Sequence, residues 1–319
     1  VDKMLAMLAE KIQHRFTPSI FRVDVGNVAV GKSVPVSIQA GYDDERAIDE
    51  IIEAAVYYST NNGKSFQGPV LLGQEDSHTW SGELPAFSRP GKVLLYVRVK
   101  DTYGNVAADI PCKVSGWPPF EDSCMVPVAV DAEPVDDPIA LIEDDYDFWE
   151  IRAGVDDRYL YINQNVEGKV DKGTMTPQHI NAYIAMLFDT EKLYEVDDMM
   201  AFLPMQSGKE AEKKPDFVHM VFYAPLASAM GGEMTGCGLF KLEGGKPKMD
   251  SESVTCKNDD FDLFLRIDKK VLTTGMKKSL TLIGGMTGFI EGGSSMVPSL
   301  REFTSLSRIN FKPHSFNVR

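Results

Sequence analysis

The chain has 319 residues, 43% of them hydrophobic, and carries 47 acidic against 33 basic side chains, a formal net charge of −14. That length suffices for two ordinary domains, each with its own core, and no run of about 18 apolar residues is present to span a bilayer as a helix. So acidic a surface repels phosphate backbones and anionic headgroups, which excludes nucleic acid and bare membrane as natural partners and suits divalent cations or basic proteins.

The chain begins at Val1 with no leader-like segment ahead of it, so either a leader has been removed or this is a fragment. In its first stretch Met4, Leu5, Leu8 and Ile12 fall at helical spacing, with Lys3, Glu10, Lys11 and Arg15 around them. Thr17-Pro18 ends the pattern. Residues 1–17 are therefore predicted as an amphipathic helix, packing through those four side chains on its own domain or on a neighbouring subunit.

From residue 18 to 116 the period changes to two. FRVDV, VPVSIQA, EAAVYYST, PVLL, HTWSGEL, KVLLYVRVKD and VAADIPCKV are runs of strand length, separated by turn signals such as NNGKS, SRPGK and DTYGN. In the sixth run Leu95, Val97 and Val99 form the unbroken apolar side and are the predicted core face. About seven strands at this spacing suit a Greek-key sandwich. The segments VYYSTNNGKSFQGPVLL and WSGELPAFSRPGKVLLYVRVKDTYGNVA resemble the fibronectin type III and immunoglobulin-like modules of secreted bacterial proteins. That resemblance implies a β-sandwich and leaves the ligand open.

Residues 117–127, opening with Trp117-Pro118-Pro119, are predicted as a stiff linker. Cys112 and Cys124 bracket it and are placed to pin the junction. Cys237 and Cys256 flank the turn-rich GGKPK, so a hairpin centred there sets their thiols opposite each other. Four cysteines allow three connectivities, and an even count paired in this way points to an oxidising compartment. Four buried free thiols remain the alternative.

Residues 128–319 read as a second sandwich. DFWEIRAGV is a strand, Asp156-Asp157-Arg158 a turn, YLYI the returning strand, and NAYIAMLFD, DFVHMVFYA, GCGLFKL, DFDLFLRID and SLTLIGGMTGF are further strands. The tail INFKPHSFNV is read as a last strand of this domain, with docking on a neighbouring subunit as the alternative. The first strand, the D-D-x-x-L-Y-I turn and strand, and the apolar strand closing on Asp189 resemble family 9 carbohydrate-binding modules and DOMON-type sandwiches.

The resemblance implies two ligand chemistries. A sugar held between aromatic rings would use Trp149 with Tyr146 and Tyr183. A b-type haem would need methionine with histidine or lysine; the chain is Met-rich, but His219 and Met220 are adjacent on a strand and point to opposite faces, so haem is not expected. Independently of it, the acidic stretch ahead of Trp149 offers hard oxygen ligands, and Asp144, Asp145 and Asp147 are the candidate calcium set.

No HExxH, GxSxG or phosphate-binding glycine loop occurs, and the five histidines are scattered. The sequence therefore predicts an all-β, extracytoplasmic and non-catalytic protein: two β-sandwich domains behind a short amphipathic helix. Its expected role is structural or adhesive in a cell envelope, as a surface-layer, filament or accessory subunit, through self-association or contact with other envelope proteins. The first alternative is binding of surface or extracellular polysaccharide, the second a haem electron-transfer domain.

Overall fold

The computed structural model describes residues 16–43, 45, 47–119, 124–130, 148–166, 179–189, 219–223, 237–243, 246–259, 261–292, 295–303 and 307–319. The predicted helix with Met4, Leu5, Leu8 and Ile12 lies outside them, as do Asp144, Asp145, Tyr146 and Asp147. The chain divides into two compact units. The first contains His14–Ala129, Arg152–Tyr161 and Leu306–Arg319, and the second Val1–Gln13, Val130–Ile151 and Ile162–Ser305.

The strands of residues 16–130 are β1 (Ser19–Val25), β2 (Val34–Gly41), β3 (Ile51–Ser59), β4 (Gln67–Leu71), β5 (Gly73–Gln74), β6 (Thr79–Leu84), β7 (Gly91–Asp101), β8 (Val106–Asp109) and β9 (Val126–Val130). There follow β10 (Phe148–Val155), β11 (Tyr159–Val166), β12 (His179–Asp189), β13 (His219–Tyr223), β14 (Cys237–Glu243) and β15 (Lys246–Asp250). The last are β16 (Val254–Asp259), β17 (Asp262–Asp268), β18 (Ser279–Gly292), β19 (Ser295–Phe303), β20 (Ser307–Asn310) and β21 (His314–Val318). Among the described residues the one helical element is a 3-10 turn at Lys269–Val271, so the fold is all-β, as the period-two pattern predicts.

In the first unit two sheets face each other across one core. One sheet has the order β1-β2-β6-β5; in the other, β3 lies between β4 and β7, and β8 between β7 and β20. Strict alternation builds the interior: Val34, Val36, Ile38 and Ala40 of β2 face Val93, Leu95, Val97 and Val99 of β7, with Trp80, Leu84 and Phe87 between. The predicted core face of β7 is thus the observed one. Its other face is covered as well: Leu94 and Tyr96 are buried, Tyr57 stacks on Tyr96 at 4.9 Å, and the Tyr96 hydroxyl donates to the Pro127 carbonyl of β9.

The tail, read from the sequence as the closing strand of the second domain, pairs instead with the first unit. Strand β20 runs parallel to β8 and β21 antiparallel to β7. The cause is a mismatch of length. Strand β7 has eleven residues, and β8 covers it only from Val97 to Lys100. The bonds of Gly91–Leu95 on that side are taken up by His314–Val318. Phe316 and Val318 then alternate into the core, Phe316 edge-on to Phe87 at 5.7 Å between centroids.

In the second unit β15, β14, β13, β12, β18 and β19 pair successively in antiparallel fashion. A separate sheet contains the antiparallel pair β16–β17, whose Leu263, Leu265 and Ile267 point inward. Asp262 at the head of β17 accepts the Asn163 and Asn165 side-chain amides at 2.9 and 3.0 Å, which satisfies the buried Asn163.

Candidate functional site

Both sequence-inferred cysteine pairs are disulfides, Cys112–Cys124 and Cys237–Cys256, with Cα separations of 5.9 and 6.1 Å. The geometric reason given for the second pair is corrected. Cys237 lies on β14, whose hairpin partner β15 ends before Cys256; Cys256 lies on β16, opposite Leu265. The bond therefore ties two sheets together rather than two strands of one hairpin.

The first disulfide sits beneath the Asn62-Gly63 turn. Both residues have positive φ, 63° and 86°. Ser59 Oγ accepts the Gly63 amide at 2.9 Å, and Asn61 braces Ser65. A β-carbon at Gly63 would overlap Cys112 Sγ and lie 3.2 Å from Cys112 Cβ. Gly154 of β10 is approached as closely, by Val114, Met125 and the Cys124 carbonyl. Val114 N–H donates to the Val155 carbonyl at 2.7 Å.

Of the residues proposed for ligand binding, Tyr183 of β12 is buried, 1% exposed, so its ring offers no face on which a sugar could stack. Trp149 lies on β10, its side chain outside those described. His219 and Met220 are neighbours on β13, in register with Leu187 and Met186 of β12. Among the described residues no three His, Cys, Asp or Glu side chains converge as a metal site. Asp156 is committed to its turn, accepting the Arg158 and Tyr159 amides and the Tyr161 hydroxyl. Asp157 pairs with Lys113.

Two buried carboxylates organise the first unit, and neither was singled out from the sequence as a site. Asp101, read there as a turn former, accepts the Tyr103 and Asn105 amides, the Asn105 side chain and, at 3.1 Å, the Tyr42 hydroxyl. Burial pushes the Asp101 carboxyl above its ordinary pKa, against the pull of the Asn105 and Tyr42 hydrogen bonds. Burial also raises the Tyr42 phenol, and the Asp101 charge adds to it.

Asp109, at the end of β8, has no solvent exposure. Its Oδ1 accepts Asn310 Nδ2 at 2.7 Å, and its Oδ2 lies 2.6 Å from His314 Nε2. A histidine beside a buried carboxylate resembles part of a hydrolytic triad, but among the described residues no hydroxyl is bonded to the other ring nitrogen. Ser307 Oγ donates to the Val128 carbonyl, and His314 Nδ1 has no protein partner among the described residues. The pair is a clasp on the 307–319 segment.

Arg308 adds a second clasp, bonding Asp43 and Ser19. Burial opposes the Asp43 charge, but the Ser19 hydroxyl and the Arg308 guanidinium outweigh it and hold its pKa below the ordinary value.

Two surfaces remain open. The outer face of β1-β2-β6-β5 forms a groove of about 600 Å³ lined by Asp24, Ser37, Glu75, Ser81 and Glu83 over Pro35 and Val36. At the opposite sheet, β4 ends the order, with β3 as its ladder partner among the described residues. Leu71 on β4, Ile52 at the start of β3 and Ile48 just before it are 64%, 56% and 66% exposed.

No family model matches the chain, and no curated protein sequence matches it. Among solved structures it is similar to the I9–I11 tandem of titin, at 8% identity over 93% of this chain and 99% of that one, with a TM-score of 0.16. It is also similar to Dpr2 Ig1-Ig2 in complex with DIP-Theta Ig1-Ig3, at 7% identity over the same shares, with a TM-score of 0.18. Overlaps this shallow carry no information about ligand or partner. Among the described residues no helix is long and apolar enough to cross a membrane.

Proposed function

We propose that this chain is a non-catalytic, extracytoplasmic structural or adhesive protein of a cell envelope, working through protein–protein contact. The observation that carries the reading is the exposed apolar surface of the β3–β4 side of the first unit. Among the described residues β4 ends its sheet, and Leu71 of β4, Ile52 of β3 and Ile48 just before it are exposed apolar side chains of that sheet. Exposed apolar side chains of this kind favour contact with another protein, and Pro69 within β4 turns that contact toward side-chain packing rather than strand addition. Two disulfides, one in each unit, suit an oxidising compartment. The buried polar groups described above serve turns and strand clasps, which is the economy of a scaffold.

The test is the size and shape of natively isolated protein, by electron microscopy and light scattering with a parallel absorbance spectrum. Ordered polymers or sheets without a chromophore support the reading. Discrete monomers overturn it, and a glycan array then tests the polysaccharide alternative.

A further inference from the structure

We propose that Asn62 is a site of spontaneous covalent modification: its side-chain amide is open to succinimide formation and deamidation, and the folded turn holds that reaction in check through Ser59.

Among the asparagines of the chain, Asn62 alone precedes a glycine. The reaction requires the backbone nitrogen of the next residue to reach the asparagine Cγ. A side chain on that next residue obstructs the approach, and Gly63 has none. Asn62 is exposed, with φ at 63°, and among the described residues its side-chain amide has no hydrogen-bond partner. Asn61 is the contrast. Its Oδ1 accepts the Ser59 hydroxyl at 2.8 Å and the Ser65 N–H at 3.1 Å, its Nδ2 donates to Ser65 Oγ at 2.8 Å, and a residue with a side chain follows it.

The chemistry balances with water as the one other reactant. The Gly63 nitrogen bonds to Asn62 Cγ and the Cγ–Nδ2 bond breaks. The displaced nitrogen leaves as ammonia, taking the Gly63 amide proton, and a succinimide ring is closed. Water then opens the ring at Cγ to give an aspartyl residue, or at the main-chain carbonyl to give an isoaspartyl residue whose backbone runs through the former side chain. Either product carries a new carboxylate.

The folded turn opposes the first step at its nucleophile. Gly63 is buried, and its N–H donates to Ser59 Oγ at 2.9 Å. Ser59 is itself 1% exposed and is fixed by its bond to Asn61. Gly63 is also seated against Cys112, so carrying its nitrogen onto Cγ lifts the turn off the disulfide. The electrophile is ready and the nucleophile is locked. The reaction therefore runs through the opened turn, at a rate set by how often the turn opens.

Wild type, Ser59→Ala and Asn62→Gln are incubated at mildly alkaline pH, folded and in denaturant. Peptide mass spectrometry follows the conversion of amide to acid, and enzymatic methyl transfer detects isoaspartate. Amide exchange of β7 in the same samples separates opening of the turn from unfolding of the unit. Folded wild type is expected to convert at Asn62 ahead of every other asparagine, yet more slowly than in denaturant. Ser59→Ala raises the folded rate about fivefold, as expected for one lost hydrogen bond, and leaves the denatured rate unchanged. Asn62→Gln, which must close a larger ring, abolishes the early conversion. Equal rates in folded and denatured wild type, or a folded rate that Ser59→Ala does not change, overturn the control by the turn. Conversion led by another asparagine, or none in either folded protein while the denatured chain reacts, overturns the site.

Discussion

Gly63 lies directly over Cys112, so close that a β-carbon at position 63 would overlap the disulfide sulfur. Its φ of 86° belongs to the left-handed region, so the turn and the disulfide make the same demand on one residue. Gly63→Ala is expected to cost about 2–3 kcal/mol, part from φ and part from overlap. In a Cys112→Ser/Cys124→Ser background the overlap part shrinks and the penalty falls to about 1 kcal/mol. Chemical denaturation of the four proteins checks it; equal penalties in both backgrounds would show that the sulfur plays no part.

Opening Cys112–Cys124 removes a cross-link between residues twelve apart in sequence. A loop of that size contributes about 3 kcal/mol on the chain-entropy account. The double serine variant is expected to lose roughly that much, with faster hydrogen exchange at Tyr96 and Val128, on either side of the β9 contact. Unchanged exchange there would mean that β9 is held by its own packing.

Asp109→Ala takes the acceptor from Asn310 and His314. The expected loss is about 2–4 kcal/mol, from the missing bonds and the cavity. Exchange protection should drop first in Ser307–Val318, because that segment loses its clasp while β3 and β7 keep theirs. A uniform drop across the unit would argue that Asp109 supports the core as a whole.

The two shifted carboxylates pull the pH dependence in opposite directions. Asp43 has a native pKa below its unfolded value of about 4, so its contribution is present above that pH and is lost as pH falls through the native value. Asp101 has a raised native pKa, so its contribution is present below about pH 4 and is lost as pH rises through the native value. The deficit of Asp43→Asn relative to wild type should therefore close as the pH is lowered. That of Asp101→Asn should narrow as the pH is raised from about 3 to 7. Denaturation midpoints over that range decide it, and a deficit for Asp101→Asn that widens with pH would show the sign to be wrong.

Much of the first unit was legible in the sequence because its signals are local. FRVDV, VPVSIQA, EAAVYYST and KVLLYVRVKD alternate with period two and are strands β1, β2, β3 and β7. Asn62-Gly63 and Asp101–Asn105 announced their turns by residue type, and both have the positive φ that such turns require. The cysteine pairing was inferred correctly, but from a hairpin that ends too early to hold it. Asp109 and His314 gave no signal at all. One lies among small apolar residues and the other in a polar tail, 205 positions apart.

The sequence by itself determined the all-β class, the strand positions in the first unit, its turns and the cysteines available for bonding, because each follows from side chains within a few residues of one another. Only the tertiary structure decided which strand completes which sheet. Strand β21 alternates like any other, and its period suits any open edge. It is seated on β7 because Gly91–Leu95 lacked a partner there, Phe87 and Val93 left room for Phe316, and a buried carboxylate waited at Asp109 for Asn310 and His314. Those complementarities exist only once the chain has brought residues two hundred positions apart to one place.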